Sequence, residues 1–216
     1  MDAKEVIARR VAQELREGFV VNLGIGIPTL VPHFLPPDIH ITLQSENGFL
    51  GLGPLLGEPQ PGVVNAGGQP CGLIPGAAMF DSAFSFALIR GGHVDVTVLG
   101  ALEVDAQGNL ANWVVPGKMV PGMGGAMDLV TGARRVIVAM EHSTKDDRPK
   151  ILPLCSLPLT AAGRVSMIVT ELAVFSRGTG GLVLEEIAPG RTQDEVRAKT
   201  AADFSVSPNC RTMHLG

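Results

Sequence analysis

The start of the chain carries a helical and then a strand-like pattern of apolar residues. Residues 1–17 are rich in charge and place apolar residues four positions apart: Ile7, Val11 and Leu15. This spacing predicts an amphipathic helix over 1–17 that ends at Gly18. Residues 19–23 form a short apolar run, which predicts a buried strand. A turn at 24–28 then leads into a second helix, and Pro28 suits its first position.

Strand and helix patterns alternate along the rest of the chain. Apolar and β-branched runs predict further strands at 39–43, 94–99 and 135–140. Asp81 is placed to cap a helix that closes at Gly91. Thr192 and Glu195 have the spacing of a capping box at the start of a last helix. Because no repeat or long linker divides residues 1–216, we expect a single α/β domain with a mainly parallel sheet and helices on both faces.

Glu46 follows the predicted strand 39–43 and opens a stretch rich in glycine: Gly48, Gly51 and Gly53. Glycine permits positive φ and lets the main chain approach a ligand closely, which is costly in an ordinary connection. Reacting groups collect where the strands of an α/β sheet end. A solvated loop glutamate is the simpler interpretation of a lone Glu. The glycines around Glu46 favour a loop with a reacting carboxylate instead.

One asparagine and a second glycine-rich segment are further candidates. Asn22 ends a strand that should lie beside the strand of Glu46, where its amide could orient a carboxylate or cap the sheet. The glycines of 121–128 precede a predicted helix, and their N–H groups could stabilise an oxyanion or form a tight turn. The segment 24–29 lacks the third glycine of a dinucleotide fingerprint. The chain also lacks the Gly-Lys-Ser/Thr sequence of a nucleotide P-loop.

Composition excludes several classes of protein. Of the 216 residues, 45% are hydrophobic and 18% charged, which predicts a globular chain with a buried subunit interface. A net charge of −4 gives no reason to expect nucleic acid or a membrane as partner. Three cysteines without Cys-x-x-Cys spacing, and dispersed histidines, predict no metal site and a reducing, cytoplasmic location. We expect a soluble chain, because no signal peptide or run of about 20 apolar residues is found.

Eight blocks of the chain resemble those of one enzyme family, in the same order. Ser-Glu-Asn-Gly at 45–48, followed by Gly-Leu-Gly-Pro at 51–54, resembles the catalytic signature of the B (beta) subunit of class I 3-oxoacid CoA-transferases. This family includes succinyl-CoA:3-oxoacid and acetoacetate CoA-transferases. The remaining blocks cover nearly the whole chain: 21–29, 65–67, 89–95, 110–113, 116–120, 122–130 and 140–143.

The resemblance implies a ping-pong transfer of CoA between a short acyl-CoA and a carboxylic or 3-oxo acid. Glu46 would attack the acyl-CoA, a mixed anhydride would form, and CoA would return to give a glutamyl-CoA thioester. Gly125 and Ala126 match the loop whose amides form the oxyanion hole. Asn22 and Asn112 match residues that line the active site. A CoA thioester is then a substrate, and neither a permanently bound cofactor nor a metal is implied.

The resemblance also implies a partner and a fold. The chain lacks the A (alpha) subunit, so we expect an α2β2 heterotetramer that serves ketone-body or short-chain fatty acid metabolism. The expected fold is the three-layer α/β/α arrangement shared with some sugar-phosphate isomerases. Some relatives carry a lysine directly after the block 65–67, where this chain has Gly68 and Gln69. This difference leaves open which acid accepts CoA. The alternatives are an acyl-CoA hydrolase that uses Glu46, or a non-catalytic ligand-binding or regulatory subunit.

Overall fold

The computed structural model describes residues 1–115, 117 and 123–216. The helices are α1 Ala3–Ala12, a 3₁₀ helix Ile27–Phe34, α2 Ser82–Arg90, α3 Ala126–Gly132 and α4 Gln193–Lys199. The strands are β1 Val20–Leu23, β2 Thr42–Ser45, β3 Phe49–Gly53, β4 Gly72–Met79, β5 Val96–Leu99, β6 Glu103–Asp105, β7 Leu110–Ala111, β8 Arg135–Ala139, β9 Ile151–Leu152, β10 Met167–Val169, β11 Ala173–Gly178, β12 Gly181–Ile187 and β13 Phe204–Thr212.

A ten-stranded sheet in the order β13-β12-β11-β10-β8-β5-β1-β2-β3-β4 forms the centre of the molecule. Its five central strands, from β10 to β2, are all parallel. Antiparallel pairs join β3 and β4 to one side and β11 and β12 to the other, and β13 runs parallel to β12. The prediction of an α/β fold with a mainly parallel sheet is confirmed. The antiparallel pairs of the sheet lie on either side of its parallel centre.

Helices pack on both faces of this sheet. Alternate residues of β8 show the division: Val136 and Val138 pack with α2, α3 and α4, whereas Ile137 and Ala139 pack with α1 and the 3₁₀ helix. The alternation follows from the period of two along a strand. Because both faces are apolar and both are covered, the central strands are buried on each side, as parallel sheets require. The fold is therefore three-layered, as expected.

The first two predicted helices differ in extent or type from the observed ones. Helix α1 ends at Ala12 rather than at residue 17, because the next N–H groups bond three residues back and turn the chain toward β1. Leu15 is buried as predicted. The second helix is a 3₁₀ helix with Pro28 in its first turn. Its internal Pro32 has no N–H to give to an α-helical bond.

The predicted elements on either side of Glu46 were wrong in their boundaries. The strand before it is Thr42–Ser45 rather than 39–43, so the two residues that precede Glu46 belong to β2. The glycine-rich stretch is not a long loop, because β3 begins at Phe49 and pairs antiparallel with β2. Phe49 and Leu52 are buried in a small apolar cluster with Val63, and their burial favours a strand despite the glycines.

Other local predictions are confirmed. Asp81 caps α2 by accepting a hydrogen bond from the Phe84 N–H at 2.8 Å. Thr192 and Glu195 form both bonds of a capping box at α4. The predicted strands at 94–99 and 135–140 correspond to β5 and β8.

Candidate active site

Glu46 lies directly after the carboxyl end of β2. The parallel neighbours β1 and β5 end at the same edge of the sheet. At β2 the sheet changes from parallel to antiparallel pairing, since β2 and β3 form a hairpin. Glu46 is half-buried in the tight turn of this hairpin. A carboxylate is thus held at a sheet edge while it stays accessible from one side.

The turn that carries Glu46 is fixed by backbone contacts with the segment before α2. Gly48 has a φ of +118°, and a Cβ there would overlap the carbonyl oxygen of Phe80. The Phe80 N–H donates to the Gly48 carbonyl at 3.0 Å. Only glycine allows both the dihedral angle and the close approach. The position of Glu46 is therefore tied to the start of α2.

Asn22 of β1 is adjacent to Glu46. It pairs in register with Gln44 of β2 and is only 1% exposed. Its Nδ2 group donates to Glu46 Oε2 at 3.1 Å, to Gln44 Oε1 at 2.8 Å and to the Gln44 carbonyl at 3.2 Å. Because all three neighbours are acceptors, the amide nitrogen must face Glu46. A neutral donor is thereby aimed at the carboxylate.

Gly125 is packed against the side chain of Glu46. A Cβ built on it would lie 3.1 Å from Glu46 Cγ and 3.2 Å from Phe86 Cε1. A side chain at this position would therefore push against the carboxylate arm or the aromatic ring. Ala126 begins α3, and its N–H lies 3.4 Å from the Met123 carbonyl, a long hydrogen bond. The block 116–120, apart from Gly117, and residues 121 and 122 lie outside the described residues.

Asn112 is not brought to Glu46 by any hydrogen bond of the described residues. Its Nδ2 donates to the Gly100 carbonyl at 3.2 Å, and its Oδ1 accepts from the Thr160 hydroxyl at 2.6 Å. Both ends of this amide are therefore occupied within the chain. Gly100 follows β5, so Asn112 lies near the same sheet edge as Glu46.

Two polar residues that the sequence did not single out complete the surroundings of Glu46. Gln44 Nε2 donates to Ser85 Oγ at 2.9 Å, and Ser85 Oγ donates to the Ser45 carbonyl at 3.2 Å. Both side chains are buried. The sequence of helix Ser82–Arg90 did not distinguish Ser85 from Ser82, although only Ser85 is buried.

Metal-binding clusters and reactive thiols are the other candidates for chemistry among the described residues. Within residues 1–115, 117 and 123–216, no group of three or more His, Cys, Asp or Glu is arranged to hold a metal ion. Burial raises the pKa of the Cys71 thiol, and burial together with Asp105 and Glu103 raises that of Cys155 to about 12. Both thiols are therefore protonated and weak as nucleophiles at neutral pH.

Across the same described residues, no helix is both long and apolar enough to cross a membrane.

Comparison with known proteins identifies the family. Residues 4–199 match the family described as Coenzyme A transferase. The chain is 67% identical over 212 residues to the beta subunit of the acetate CoA-transferase of Escherichia coli (strain K12), covering 98% of each chain. It is 51% identical over 208 residues to the B subunit of the probable succinyl-CoA:3-ketoacid coenzyme A transferase of Bacillus subtilis (strain 168), covering 95% of this chain and 96% of that one.

A solved structure shares the fold. The apoenzyme of an acyl-CoA transferase from Escherichia coli O157:H7 superposes with a TM-score of 0.80 at 24% identity. The match covers 99% of this chain and 43% of that enzyme's chain, so this chain spans less than half of it. The chain belongs to the coenzyme A transferase family and is the B-type subunit of such an enzyme.

Proposed function

We propose that this chain provides Glu46 as the nucleophile of a CoA-transferase, which moves CoA from a short acyl-CoA to a carboxylic or 3-oxo acid. The observation that carries the proposal is the surroundings of the Glu46 side chain: its Oε2 accepts from the Asn22 amide at 3.1 Å, and its Cγ lies beside the bare backbone of Gly125. The amide orients the carboxylate, and the absence of a side chain on Gly125 leaves room beside the Glu46 arm. An acyl group can therefore approach it closely.

The reaction follows in balanced steps. A Glu46 oxygen attacks the acyl carbon, the carbon–sulfur bond breaks and CoA leaves as a thiolate, so that a mixed anhydride remains. The thiolate attacks the Glu46 carbonyl carbon and releases the first acid as its carboxylate. Glu46 is then a CoA thioester, and the acceptor carboxylate reverses both steps. Two easier exchanges replace one difficult exchange, and the energy of the thioester is kept.

Each attack places negative charge on a carbonyl oxygen, which needs hydrogen-bond donors. We assign this role to the N–H groups of Gly125 and Ala126, beside Glu46 at the start of α3. The long bond from Ala126 to Met123, at 3.4 Å, is weak enough to be given up to a developing oxyanion. Loss of one such donor costs roughly 2.7–4 kcal/mol of transition-state stabilisation. Asn22 orients the carboxylate, and Asn112 shapes the same sheet edge.

The names of the relatives favour particular substrates and a partner. The relative at 67% identity bears the name of an acetate CoA-transferase, and the one at 51% that of a succinyl-CoA:3-ketoacid enzyme. We infer that acetate is accepted more readily than succinate. Both relatives are named as single subunits, so we propose an A subunit as partner, in an α2β2 assembly. We place this assembly in the cytoplasm, with residues 1–216 of each B subunit as one domain.

The proposal is tested by the half-reaction. The complex with its A subunit is mixed with excess acetoacetyl-CoA without acceptor, and released acetoacetate is counted. We expect a burst of one acetoacetate per B subunit, followed by a halt, and we expect no burst from Glu46→Gln. Steady release without acceptor would indicate hydrolysis of the intermediate instead. A full burst from Glu46→Gln would overturn the assignment of the nucleophile.

A further inference from the structure

The orientation of the Asn22 amide depends on one end only. Asn22 Oδ1 is buried and has no hydrogen-bond partner among the described residues. Its Nδ2 group makes the bonds to Glu46 and Gln44. The last torsion of an asparagine side chain is broad, so the amide group can turn unless hydrogen bonds hold its nitrogen. The acceptors of Nδ2 therefore decide where Asn22 points.

The shortest of these bonds is to Gln44 Oε1 rather than to Glu46. Its length is 2.8 Å, against 3.1 Å for the bond to Glu46 Oε2. Gln44 is itself oriented, because its Nε2 donates to Ser85 Oγ at 2.9 Å. Ser85 is fixed in turn, since its hydroxyl donates to the Ser45 carbonyl at 3.2 Å. The direction of every donor in this chain of bonds is set by the next acceptor.

The chain of bonds forms a closed path around Glu46. It runs from the side chain of Ser85 through Gln44 and Asn22 to the Glu46 carboxylate, and it returns through the Ser45 carbonyl, one residue before Glu46. All three side chains are at most 3% exposed. Inside a protein, bonds in such a chain polarise and strengthen one another, so the path holds these side chains more firmly than separate bonds would. The path thus links the nucleophile's side chain to its own backbone.

We propose that Gln44 and Ser85 are positioning residues of the transferase, which hold Asn22 and thereby the Glu46 carboxylate in the attacking orientation. The inference rests on the proposed role of Glu46. Glu46 changes chemically during the cycle and becomes a weaker acceptor when its carboxylate is converted to a thioester. Gln44 does not change. The bond from Asn22 to Gln44 therefore keeps the amide in place while Glu46 carries CoA, ready for the return reaction.

The test compares three variants of the complex with its A subunit. Gln44→Met keeps the length of the side chain and removes both bonds, and Ser85→Ala removes the bond that orients Gln44. Thr97→Val is the matched control: Thr97 is the buried neighbour of Asn22 on the opposite side, and its hydroxyl has no partner in the described part of the chain. We expect kcat to fall about 10- to 100-fold for Gln44→Met, less for Ser85→Ala, and not at all for Thr97→Val. KM for the acyl-CoA should stay near its parent value.

A second measurement separates positioning from a general weakening of the fold. In an Asn22→Ala background, Gln44→Met should lower kcat by less than about twofold, because its effect passes through Asn22. The same loss in both backgrounds would overturn the proposal, as would full kcat in Gln44→Met. If Glu46→Ala kept its activity, the proposed function itself would fail. A dead Glu46→Ala with an undiminished Gln44→Met would leave the function standing and refute only the positioning role.

Discussion

Buried polar side chains occur in two regions of the large sheet, and the two regions treat them differently. On the β11–β13 flank, Glu186 accepts from Arg10 at 2.5 Å and from Arg211 at 2.8 Å. At the site edge, by contrast, Asn22 Oδ1 is buried with no partner among the described residues. A buried polar atom without a partner costs folding free energy. The flank is built for stability, whereas the site edge retains unused hydrogen-bonding capacity beside the Glu46 carboxylate.

His142, which follows the central strand β8, is a second buried polar group with bonded partners. His142 is fully buried between Thr170 and Thr200, whose hydroxyls lie 2.9 Å from its two ring nitrogens. The Thr200 hydroxyl donates to the Val196 carbonyl at 2.8 Å, so it accepts from the ring. Both ring nitrogens of His142 therefore lie within hydrogen-bonding distance of a hydroxyl, and burial lowers the pKa of the ring, which keeps it neutral at pH 7. Substitutions on the flank should change stability, and substitutions at the site edge should change activity.

The largest expected effect is the loss of Glu46. Glu46→Ala should abolish transfer with little change in melting temperature, because Glu46 lies in a half-buried turn. Glu46→Asp should lower kcat about 100-fold, since the shorter arm displaces the carboxylate by about 1 Å. Steady-state kinetics and thermal melts of the complex check both. Activity near the parent level in either variant would remove the contrast between the two regions.

The next effect belongs to the flank. Glu186→Ala leaves the buried Arg10 paired with Glu14 alone and should destabilise the fold by about 1–3 kcal/mol. Arg211→Ala is the control, because Arg211 contacts the same carboxylate but is 72% exposed, and exposed pairs contribute about 0–1 kcal/mol. Urea unfolding measures both. A Glu186→Ala protein as stable as the Arg211→Ala protein would contradict the structural role of the flank.

Gly125→Ala should act on activity alone. The added methyl group would lie 3.1 Å from Glu46 Cγ, and we expect kcat to fall about 100-fold through displacement of the nucleophile. Gly180→Ala is the matched control, because a Cβ there meets no atom within 4 Å. Kinetics of both variants decide the question. Equal activities would show that the contact at Gly125 is irrelevant to the reaction.

The smallest effect is a pH dependence of stability at His142. Burial, with smaller contributions from Lys199 and Lys150, lowers the pKa of His142 to about 4 in the folded protein. The unfolded imidazole has a pKa near 6.5, so the unfolded state binds the proton first as pH falls. This group's stabilisation is therefore complete above about pH 6.5 and is lost toward pH 4, with a loss of about 2 kcal/mol at pH 5.

Urea unfolding of the parent and of His142→Gln at pH 7 and pH 5 tests this dependence. His142→Gln should be less stable at pH 7, because its amide does not match the two hydroxyls, and it should lose the part of the pH dependence that His142 supplies. The same decline between pH 7 and pH 5 in both proteins would assign the acid sensitivity to other groups.

The sequence predicted the neighbourhood of Glu46 and Asn22 because both residues end adjacent parallel strands, and strand ends can be read from apolar runs. It missed Gln44 because the predicted strand ended two residues too early, at 43. Gln44 then lay in a loop and its face of the sheet could not be inferred. Ser85 was missed since an apolar helix pattern does not reveal which polar residue points inward.

The antiparallel pair β2–β3 was missed for a different reason. Glycines at 48, 51 and 53 weaken any strand pattern, and the burial of Phe49 and Leu52 that overrides them is a tertiary effect. The contacts of Asn112 were also not predicted. The family resemblance of the block 110–113 places Asn112 near the active site, but its hydrogen-bond partners, Gly100 and Thr160, come from other parts of the chain.

One measurement tests the central claim most directly. The complex with its A subunit is given acetoacetyl-CoA without acceptor, treated with borohydride and digested, and the peptide that contains Glu46 is examined by mass spectrometry. We predict that Glu46 is reduced to the alcohol, as only a glutamyl thioester or anhydride would be. An unmodified Glu46 in a preparation that transfers CoA at full rate would contradict the assignment of Glu46 as the nucleophile.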